Sequence, residues 1–204
     1  MVDRREHWEA VYQTRATDAV SWFQPHAAAS LRLIARCAGP AARVIDVGGG
    51  ASVLVDGLLD AGYRHVTVLD LAESALAASR ARLGERAGRV EWIADDITRA
   101  ALPAACYDVW HDRAVFHFLT DPADRARYVA QVMRAVKPGG HVIVAAFGPG
   151  GPRACSGLDV VRYDPDALHA QFGAAFRLLG HETEVHYTPA GQDQEFVYCY
   201  CMRV

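Results

Sequence analysis

Short apolar runs alternate along the chain with longer segments in which apolar residues recur every three or four positions. The short runs, bounded by turn residues, are typical of buried strands, and the longer spacing is typical of amphipathic helices. Strands are predicted at 43–47, 65–71, 89–93, 107–111 and 141–147. Helices are predicted at 4–16, 27–37, 53–59, 72–83, 122–135 and 165–172. Because strands and helices alternate, the pattern predicts an α/β fold built on a parallel sheet.

The C-terminal part of the chain has a different pattern. Residues 176–187 and 195–204 alternate between apolar and polar side chains, which predicts a terminal antiparallel pair. Before them, residues 148–163 form a predicted loop rich in Gly and Pro that is long for a connection and follows a strand end. An aromatic-rich loop at 18–26 precedes the second helix and forms either a packed patch or a lid over a ligand.

A glycine turn joins the first predicted strand to the helix after it. The spacing is Asp46-x-Gly48-x-Gly50-x-Ser52 with a further glycine at Gly49, whereas dinucleotide sites use G-x-G-x-x-G. Glycine allows positive φ and lets a ligand approach the backbone, and the following helix start offers free N–H groups. A tight turn without a ligand, in some other α/β protein, is the alternative interpretation of this segment alone.

A carboxylate ends the second predicted strand, at Asp70, about 20 residues after the glycines. An acid at this place can accept hydrogen bonds from both hydroxyls of a ribose. Dinucleotide enzymes and methyltransferases share this feature, so Asp70 indicates nucleoside binding without choosing between them. A solvated Asp at a strand end is the alternative.

Together these motifs resemble the class I S-adenosylmethionine-dependent methyltransferases. An acid followed by Ile97 after the third strand, at Asp96 or else at Asp95, and the stretch Lys137-Pro138-Gly139-Gly140 before the fifth strand extend the resemblance over roughly 41–147. Ser52 departs from the pattern, since it stands where the family has a third glycine. The resemblance implies a Rossmann-like, doubly wound, seven-stranded sheet with an antiparallel C-terminal strand, and S-adenosyl-L-methionine as cofactor. The cofactor-binding candidates are Asp46, Gly48, Gly49, Gly50, Asp70, Leu71, Asp96, Ile97 and His111.

The resemblance also divides a single expected domain, 1–204, into three parts. Residues 1–40 supply N-terminal helices and an aromatic lid, 41–147 form the cofactor-binding core, and 148–204 supply a substrate-side loop and the last strands. Ligands of such sheets lie beyond the carboxyl ends of the strands, so the ionisable groups after the fourth strand are expected to face substrate. The substrate-pocket candidates are Trp8, Tyr12, Trp22, Phe23, Arg113, His117, Phe147 and Cys155.

His111 and Asp112 are the candidate catalytic residues, because a His or Asp at the pocket could accept a proton from an amine acceptor. Two alternatives remain open: Asp112 could pair with Arg113, and His117 could simply lie on the following helix. Cys155 could bind a soft substrate or be an unremarkable loop cysteine. A thiolate acceptor would need little help from a base.

The composition of the chain argues against several classes of binding partner. The net charge of −3 and the pI near 6.3 give no footprint for a phosphate backbone, so we expect no nucleic-acid partner. The chain has no apolar run long enough to cross a bilayer and no signal peptide, so we expect a cytoplasmic protein without a membrane partner. Five cysteines in a reducing compartment are expected to be free thiols, and Cys199 with Cys201 lacks the partners of a metal site.

The sequence therefore predicts a methyltransferase that acts on a small molecule, because the chain is compact and has no added recognition domain. Two alternatives stay open within the same family resemblance. One is a protein lysine methyltransferase, since Asp112-Arg113 resembles the Asp-Lys of enzymes that modify translation factors. The other is a module that binds the cofactor without transferring methyl. An NAD-dependent enzyme is a third interpretation.

Overall fold

The computed structural model describes residues 3–204. The helices are α1 (Arg4–Thr14), α2 (Ala28–Cys37), α3 (Leu54–Asp60), α4 (Glu73–Leu83), α5 (Pro122–Ala135) and α6 (Pro165–Ala170). The strands are β1 (Arg43–Val47), β2 (His65–Asp70), β3 (Val90–Ala94), β4 (Tyr107–Arg113), β5 (Val136–Phe147), β6 (Ala154–Cys155), β7 (Leu158–Asp159), β8 (Phe176–Tyr187) and β9 (Asp193–Arg203). None of the helices formed by these residues is long and apolar enough to span a membrane.

Seven strands form one sheet in the order β3-β2-β1-β4-β5-β9-β8. The first five strands are parallel, and β9 runs antiparallel to both β5 and β8. Strand order reverses between β1 and β4, so the two helix-connected halves diverge from that point, where ligands of open α/β sheets bind. The predicted Rossmann-like, doubly wound sheet with an antiparallel C-terminal strand is confirmed.

Period-two alternation in the strands sends side chains into two separate cores. In β1, Val44 packs on the face covered by α2, α3 and α4, whereas Ile45 packs on the face covered by α5 and α6. Because both faces are covered, the central strands are apolar almost throughout, as expected for a buried parallel sheet.

Three of the helices begin at an aspartate that caps the helix N-terminus. Asp121 and Asp164 each accept a backbone N–H at the beginning of α5 and α6, and each is followed by a proline in the first turn. At the N-terminus, Asp3 caps α1 by accepting from Arg5 and Glu6. These short polar residues fix where the helices begin.

Two segments differ from the sequence prediction. The predicted turn at 136–140 lies within β5, where the pairing with β4 jumps from Tyr107–Val136 to Val109–His141, so the intervening residues bulge out of the ladder. The loop 148–163 contains the short hairpin β6–β7. Both differences involve Gly-rich stretches, whose conformational freedom hides their pairing from a pattern analysis.

Candidate functional site

A cavity lies at the carboxyl ends of β1 to β5. Its wall combines strand ends with side chains of α1 and of the aromatic loop. A second cavity lies on the side of α2. The two cavities share the wall residues Tyr12, Trp22, Gly48 and Arg113. The cleft thus occupies the place where the topology predicts a ligand.

The glycine turn forms the floor between the two cavities. Gly48 has a φ of +70° and donates its N–H to the carbonyl of Leu69 at 2.7 Å. A Cβ at Gly48 would overlap Cγ2 of Val115, and one at Gly50 would lie 2.5 Å from Oδ2 of Asp70. Gly48 lines both cavities and Gly49 only the second, whereas Gly50 packs against Asp70 instead. Glycine is therefore required here by close packing as well as by positive φ.

Asp70 lies in the wall of the main cavity with only 7% of its surface exposed. Its Oδ1 accepts the backbone N–H of Ala72 at 2.9 Å, and a carboxylate has further lone pairs for a ligand. Burial raises the pKa of Asp70 to about 7, and the nearby Asp46 acts in the same direction. Leu71, which follows, also lines the main cavity.

The end of β3 supplies the next part of the wall. Asp95, Asp96 and Ile97 all line the main cavity. Oδ1 of Asp96 accepts from the backbone N–H of Thr98 at 2.9 Å and from its hydroxyl at 2.8 Å. Asp96 therefore caps the turn that follows and lines the cavity at the same time, so the two roles considered for it from the sequence do not exclude each other.

Aromatic side chains cover the main cavity. The ring of Trp8 lies 5.5 Å from that of Trp22 and 5.0 Å from that of Phe118, both edge to face. Tyr12 lies 6.1 Å from Trp22 and completes the cluster. Phe23 lines only the second cavity. The sequence did not single out Phe118, although its place after the fourth strand is the signal that could have found it.

Polar contacts hold α1 against the core. Arg5 Nη1 donates to the carbonyl of Leu71 at 2.9 Å. The carboxylate of Glu9 accepts the backbone N–H groups of Glu73 at 2.6 Å and Ser74 at 3.2 Å, so it caps α4 from a different helix. An acid at a helix N-terminus is also favoured by the helix dipole. Because these partners are about 65 residues apart in the chain, no local pattern indicates them.

Arg113, the last residue of β4, contacts three other elements. Its Nε donates to the Tyr198 hydroxyl at 3.1 Å, and Nη1 donates to the carbonyl of Trp22 at 3.2 Å. Its guanidinium carbon lies 4.1 Å from the centre of the Phe196 ring, and Nη2 lies 3.6 Å from Oε2 of Glu184. Arg113 therefore pairs with Glu184 rather than with Asp112, the alternative considered from the sequence.

His111 is buried in a chain of three polar side chains. Its Nδ1 lies 2.7 Å from Oδ1 of Asp46, and its Nε2 lies 2.8 Å from the hydroxyl of Ser30 on α2. All three line the second cavity and none lines the main one. Since both ring nitrogens are engaged, His111 has no free nitrogen for an acceptor in the main cavity. The arrangement instead fixes Asp46 beside the glycine turn.

The expectation that Asp112 faces substrate is wrong. Its side chain is fully buried, with 0% exposure, and lies in neither cavity wall. It accepts the N–H groups of Val115 at 2.9 Å and Phe116 at 3.1 Å and the Tyr128 hydroxyl at 2.6 Å. Burial raises its pKa to about 7, although the Tyr128 and backbone donors favour the charged form. Asp112 shapes the turn after β4.

We expect Asp112→Ala to destabilise the fold, because it leaves two backbone N–H groups and the Tyr128 hydroxyl buried without their acceptor. The loss is about 2–4 kcal/mol, or a fall in the unfolding midpoint of roughly 5–10 °C. Thermal unfolding followed by circular dichroism measures it. Asp159→Ala, which removes an exposed carboxylate from β7, is the matched control with an unchanged midpoint. Equal midpoints for the two variants would contradict this structural role.

His117 also lies behind the cavity wall rather than in it, which corrects the expectation that it faces substrate. It is fully buried, stacks on Phe147 at 4.3 Å, and its Nδ1 accepts the N–H of Phe147 at 3.2 Å. Burial lowers its pKa to about 3, so the ring is neutral and supports Phe147. Phe147 and Cys155 line the main cavity, and their contact with substrate stays a prediction.

The cysteines and acids give no metal site. Within residues 3–204, no group of three or more His, Cys, Asp or Glu side chains is arranged to hold a metal ion. All five cysteines are free thiols. The Cys155 sulfur lies 3.7 Å from the Ser21 hydroxyl, and burial raises the pKa of this thiol, so it is a neutral part of the wall.

Comparison with known proteins points to one family. A family model described as a methyltransferase domain matches residues 44–140. The chain is 26% identical over 144 residues to the eEF1A lysine and N-terminal methyltransferase of Bos taurus, a match that spans 68% of this chain and 20% of the relative. It is 32% identical over 108 residues to the ubiquinone/menaquinone biosynthesis C-methyltransferase UbiE of Methylobacterium nodulans, over 52% of this chain and 42% of the relative. The chain thus spans less than half the length of either relative.

A solved structure shares the fold across nearly the whole chain. The 1,6-didemethyltoxoflavin-N1-methyltransferase of Burkholderia thailandensis, whose structure contains 1,6-didemethyltoxoflavin and S-adenosylhomocysteine, superposes with a TM-score of 0.72. The two chains are 22% identical, and the match covers 98% of this chain and 87% of the other. By the family-model match over residues 44–140 and by the strand order of its sheet, the chain is similar to the class I S-adenosylmethionine-dependent methyltransferases.

Proposed function

We propose that the protein transfers a methyl group from S-adenosylmethionine to a small-molecule acceptor by in-line displacement. One observation carries the proposal. A single cavity is lined by the glycine turn at Gly48, by the acid Asp70, by Asp96 and Ile97, and by an aromatic cover. The groups proposed to bind the nucleoside and the apolar side chains proposed to surround the acceptor therefore line the same cleft.

The residues present fit the cofactor. Asp70 is nine-tenths buried yet lines the cavity and uses one oxygen for Ala72, so it has acceptor capacity for the ribose hydroxyls. Asp96 with Ile97 would hold the adenine, as in the family pattern. The second cavity, lined by Asp46, Gly49 and Ser52, would take the amino-acid end. When bound, the cofactor supplies an electrophilic methyl group on a sulfonium.

The chain's own contribution is alignment and exclusion of water. Holding a nucleophile in line with the reacting carbon is worth roughly 7–11 kcal/mol in favourable cases. The aromatic rings of Trp8, Trp22 and Phe118 line the main cavity, where they would exclude water from the reacting groups of bound cofactor and acceptor. The acids of its wall, Asp70, Asp95 and Asp96, lie at the ends of β2 and β3, on the nucleoside side. We therefore assign no general base, and the acceptor nucleophile must be reactive without one.

The contacts that hold the cover of the cavity in place favour a small acceptor over a protein. Arg5 and Glu9 fix α1 against the core, and the aromatic loop is fixed by Gln24, which donates to Glu184 at 3.1 Å, and by His186 beside the Ser21 carbonyl at 2.8 Å. A lysine of a folded protein would have to pass this cover. The similarity to the eEF1A methyltransferase keeps protein methylation as the second candidate.

Ligand protection tests the cofactor assignment. We expect S-adenosylhomocysteine, at about a hundred times its Kd, to stabilise the protein by about 2.7 kcal/mol, which raises the unfolding midpoint by roughly 5–10 °C. NAD at the same concentration is expected to leave the midpoint unchanged. Protection by NAD and not by S-adenosylhomocysteine would instead favour a dinucleotide enzyme.

Cofactor affinity should depend on pH through Asp70. Hydroxyl donors require the carboxylate as an acceptor, and its pKa of about 7 means that the carboxyl is mostly protonated at pH 6. The affinity should therefore rise as pH rises through about 7 and level off above, with a Kd for S-adenosylhomocysteine roughly tenfold weaker at pH 6 than at pH 8. Titration calorimetry measures it. In Asp70→Asn the profile should be flat, and an equal slope in both proteins would contradict the assignment.

A further inference from the structure

Arg113 leaves one guanidinium nitrogen without a hydrogen-bond partner. The side chain is only 10% exposed, and its Nη2 is buried without a hydrogen bond to any residue described in the structure. The nearest carboxylate oxygen, Oε2 of Glu184, is 3.6 Å away, beyond hydrogen-bond distance. The charge of Arg113 is therefore balanced by Glu184, but this buried nitrogen still lacks a hydrogen-bond acceptor, which in a native protein requires an explanation.

Of the two charged partners, only Arg113 reaches the cavities. Arg113 lies in the wall of both cavities, whereas Glu184 lies in neither wall. Glu184 is also engaged by other donors, Gln24 at 3.1 Å and the Tyr198 hydroxyl at 3.1 Å. The cavity therefore meets the positive half of the pair, and the negative half stays behind it.

Arg113 lies at a different part of the sheet edge from the acids proposed to bind the nucleoside. Asp70 ends β2 and Asp96 follows β3, whereas Arg113 ends β4, two strands from β2 in the order β2-β1-β4. Adjacent strands are about 4.8 Å apart, so about 10 Å separates the two places. Phe147 and Cys155 lie on the Arg113 side of the main cavity, at the end of β5 and in the short hairpin. No acid of the cavity wall lies on that side.

We propose that Arg113 binds an oxyanion of the methyl acceptor, a carboxylate or a chemically similar group, beside the aromatic wall. Guanidinium donors suit planar oxyanions, and the aromatic side chains suit an apolar or aromatic body. The acceptor class is then a small aromatic or apolar acid. This assignment rests on the proposed methyl transfer.

The test uses methyl-labelled S-adenosylmethionine with the low-mass fraction of a bacterial extract. The labelled product of the wild-type protein is expected to bind an anion-exchange resin at pH 8 and to elute with salt. A labelled product in the flow-through would overturn the assignment and leave the methyl transfer intact. No labelled product at all would overturn the proposed function and this assignment with it.

Two variants separate binding from structure. Arg113→Gln is expected to lower labelling at limiting extract roughly 10- to 100-fold, with the Kd for S-adenosylhomocysteine within about threefold of wild type. Glu184→Gln removes the charge of the other half of the ion pair but keeps a side-chain oxygen that can accept from Gln24, so it is expected to keep the labelling. Equal losses in both variants would show that Arg113 acts only through the ion pair and would overturn the proposal.

The cofactor's own carboxylate is the rival source of the oxyanion. In that case Arg113→Gln would weaken S-adenosylhomocysteine at least tenfold and leave 5′-methylthioadenosine, which lacks the amino-acid end, unaffected. That result would overturn the acceptor assignment. Unchanged binding of both compounds, together with lost labelling, is the expected result.

Discussion

Asp70→Ala is expected to weaken S-adenosylhomocysteine by roughly a hundredfold at pH 8. The variant removes the proposed acceptor of two ribose hydroxyls, and hydrogen bonds to a charged group are worth about 1.5–3 kcal/mol each, so a total near 3 kcal/mol is a conservative sum. Titration calorimetry measures the loss. At pH 8 the wild-type carboxylate is charged, since its pKa is about 7, so the difference between the proteins is at its largest.

Asp70→Ala is expected to lose affinity for S-adenosylhomocysteine without losing folding stability. The pKa of Asp70 is raised from 3.8 to about 7 in the fold, so its charged form opposes folding above pH 7, and this effect vanishes below about pH 4. Removal of the side chain is therefore expected to leave the unfolding midpoint at pH 8 unchanged or raised. Asp193→Ala, at an exposed carboxylate outside the cavity wall, should bind normally. If Asp70→Ala bound S-adenosylhomocysteine with wild-type affinity, the proposed role of Asp70 in cofactor binding would be wrong.

Gly48→Ala is expected to abolish measurable cofactor binding and to lower the unfolding midpoint by about 5 °C or more. An L-residue at a φ of +70° costs about 1–2 kcal/mol, and the new Cβ would overlap Cγ2 of Val115. Because Gly48 and Val115 both line the main cavity, any shift that relieves the overlap changes the shape of the site. Calorimetry and thermal unfolding measure the two effects.

Gly139→Ala is the matched control. Gly139 has a φ of +76°, but a Cβ there would meet nothing within 4 Å. It should therefore lose only the conformational part of the stability and keep wild-type cofactor affinity. Val115→Ala, added to Gly48→Ala, should restore part of the lost stability by making room. If Gly48→Ala and Gly139→Ala lost cofactor affinity to a similar extent, the loss would come from backbone strain rather than from the overlap with Val115.

The sheet could be predicted from the sequence because its information is local. β1 and β2 are short apolar runs with a carboxylate at or next to the last residue, Asp46 and Asp70, and both core faces follow from alternation within a strand. The resemblance to the family adds the strand order. The roles of the cofactor-binding residues remain predictions, although Gly48, Asp70, Leu71, Asp96 and Ile97 do line one cavity.

The last residues of β4 are harder to place from the sequence, because neighbours along a strand point to opposite faces of the sheet. Trp110 and Asp112 face α5, where both contact Tyr128, whereas His111 faces Ser30 on α2. Alternation along the strand was the signal that separates them. Arg113 follows the His111 face and reaches the cavity wall.

Contacts between side chains far apart in the chain could not be predicted from the sequence. Glu9 caps a helix that begins 64 residues later, and Gln24 meets Glu184 across 160 residues. Such contacts depend on where whole elements dock, which no local pattern specifies. They decide how closed the cleft is, and therefore which acceptors reach it.

Incubation of the protein with methyl-labelled S-adenosylmethionine and a crude bacterial extract tests the central claim most directly. The Asp70→Ala variant is run alongside, and protein is then separated from low-mass material. We predict label in the low-mass fraction of the wild-type reaction and none in that of the variant. Label in a protein band would contradict the small-molecule assignment in favour of protein methylation. Absence of label from both fractions, with S-adenosylhomocysteine still bound, would contradict methyl transfer altogether and leave a cofactor-binding module.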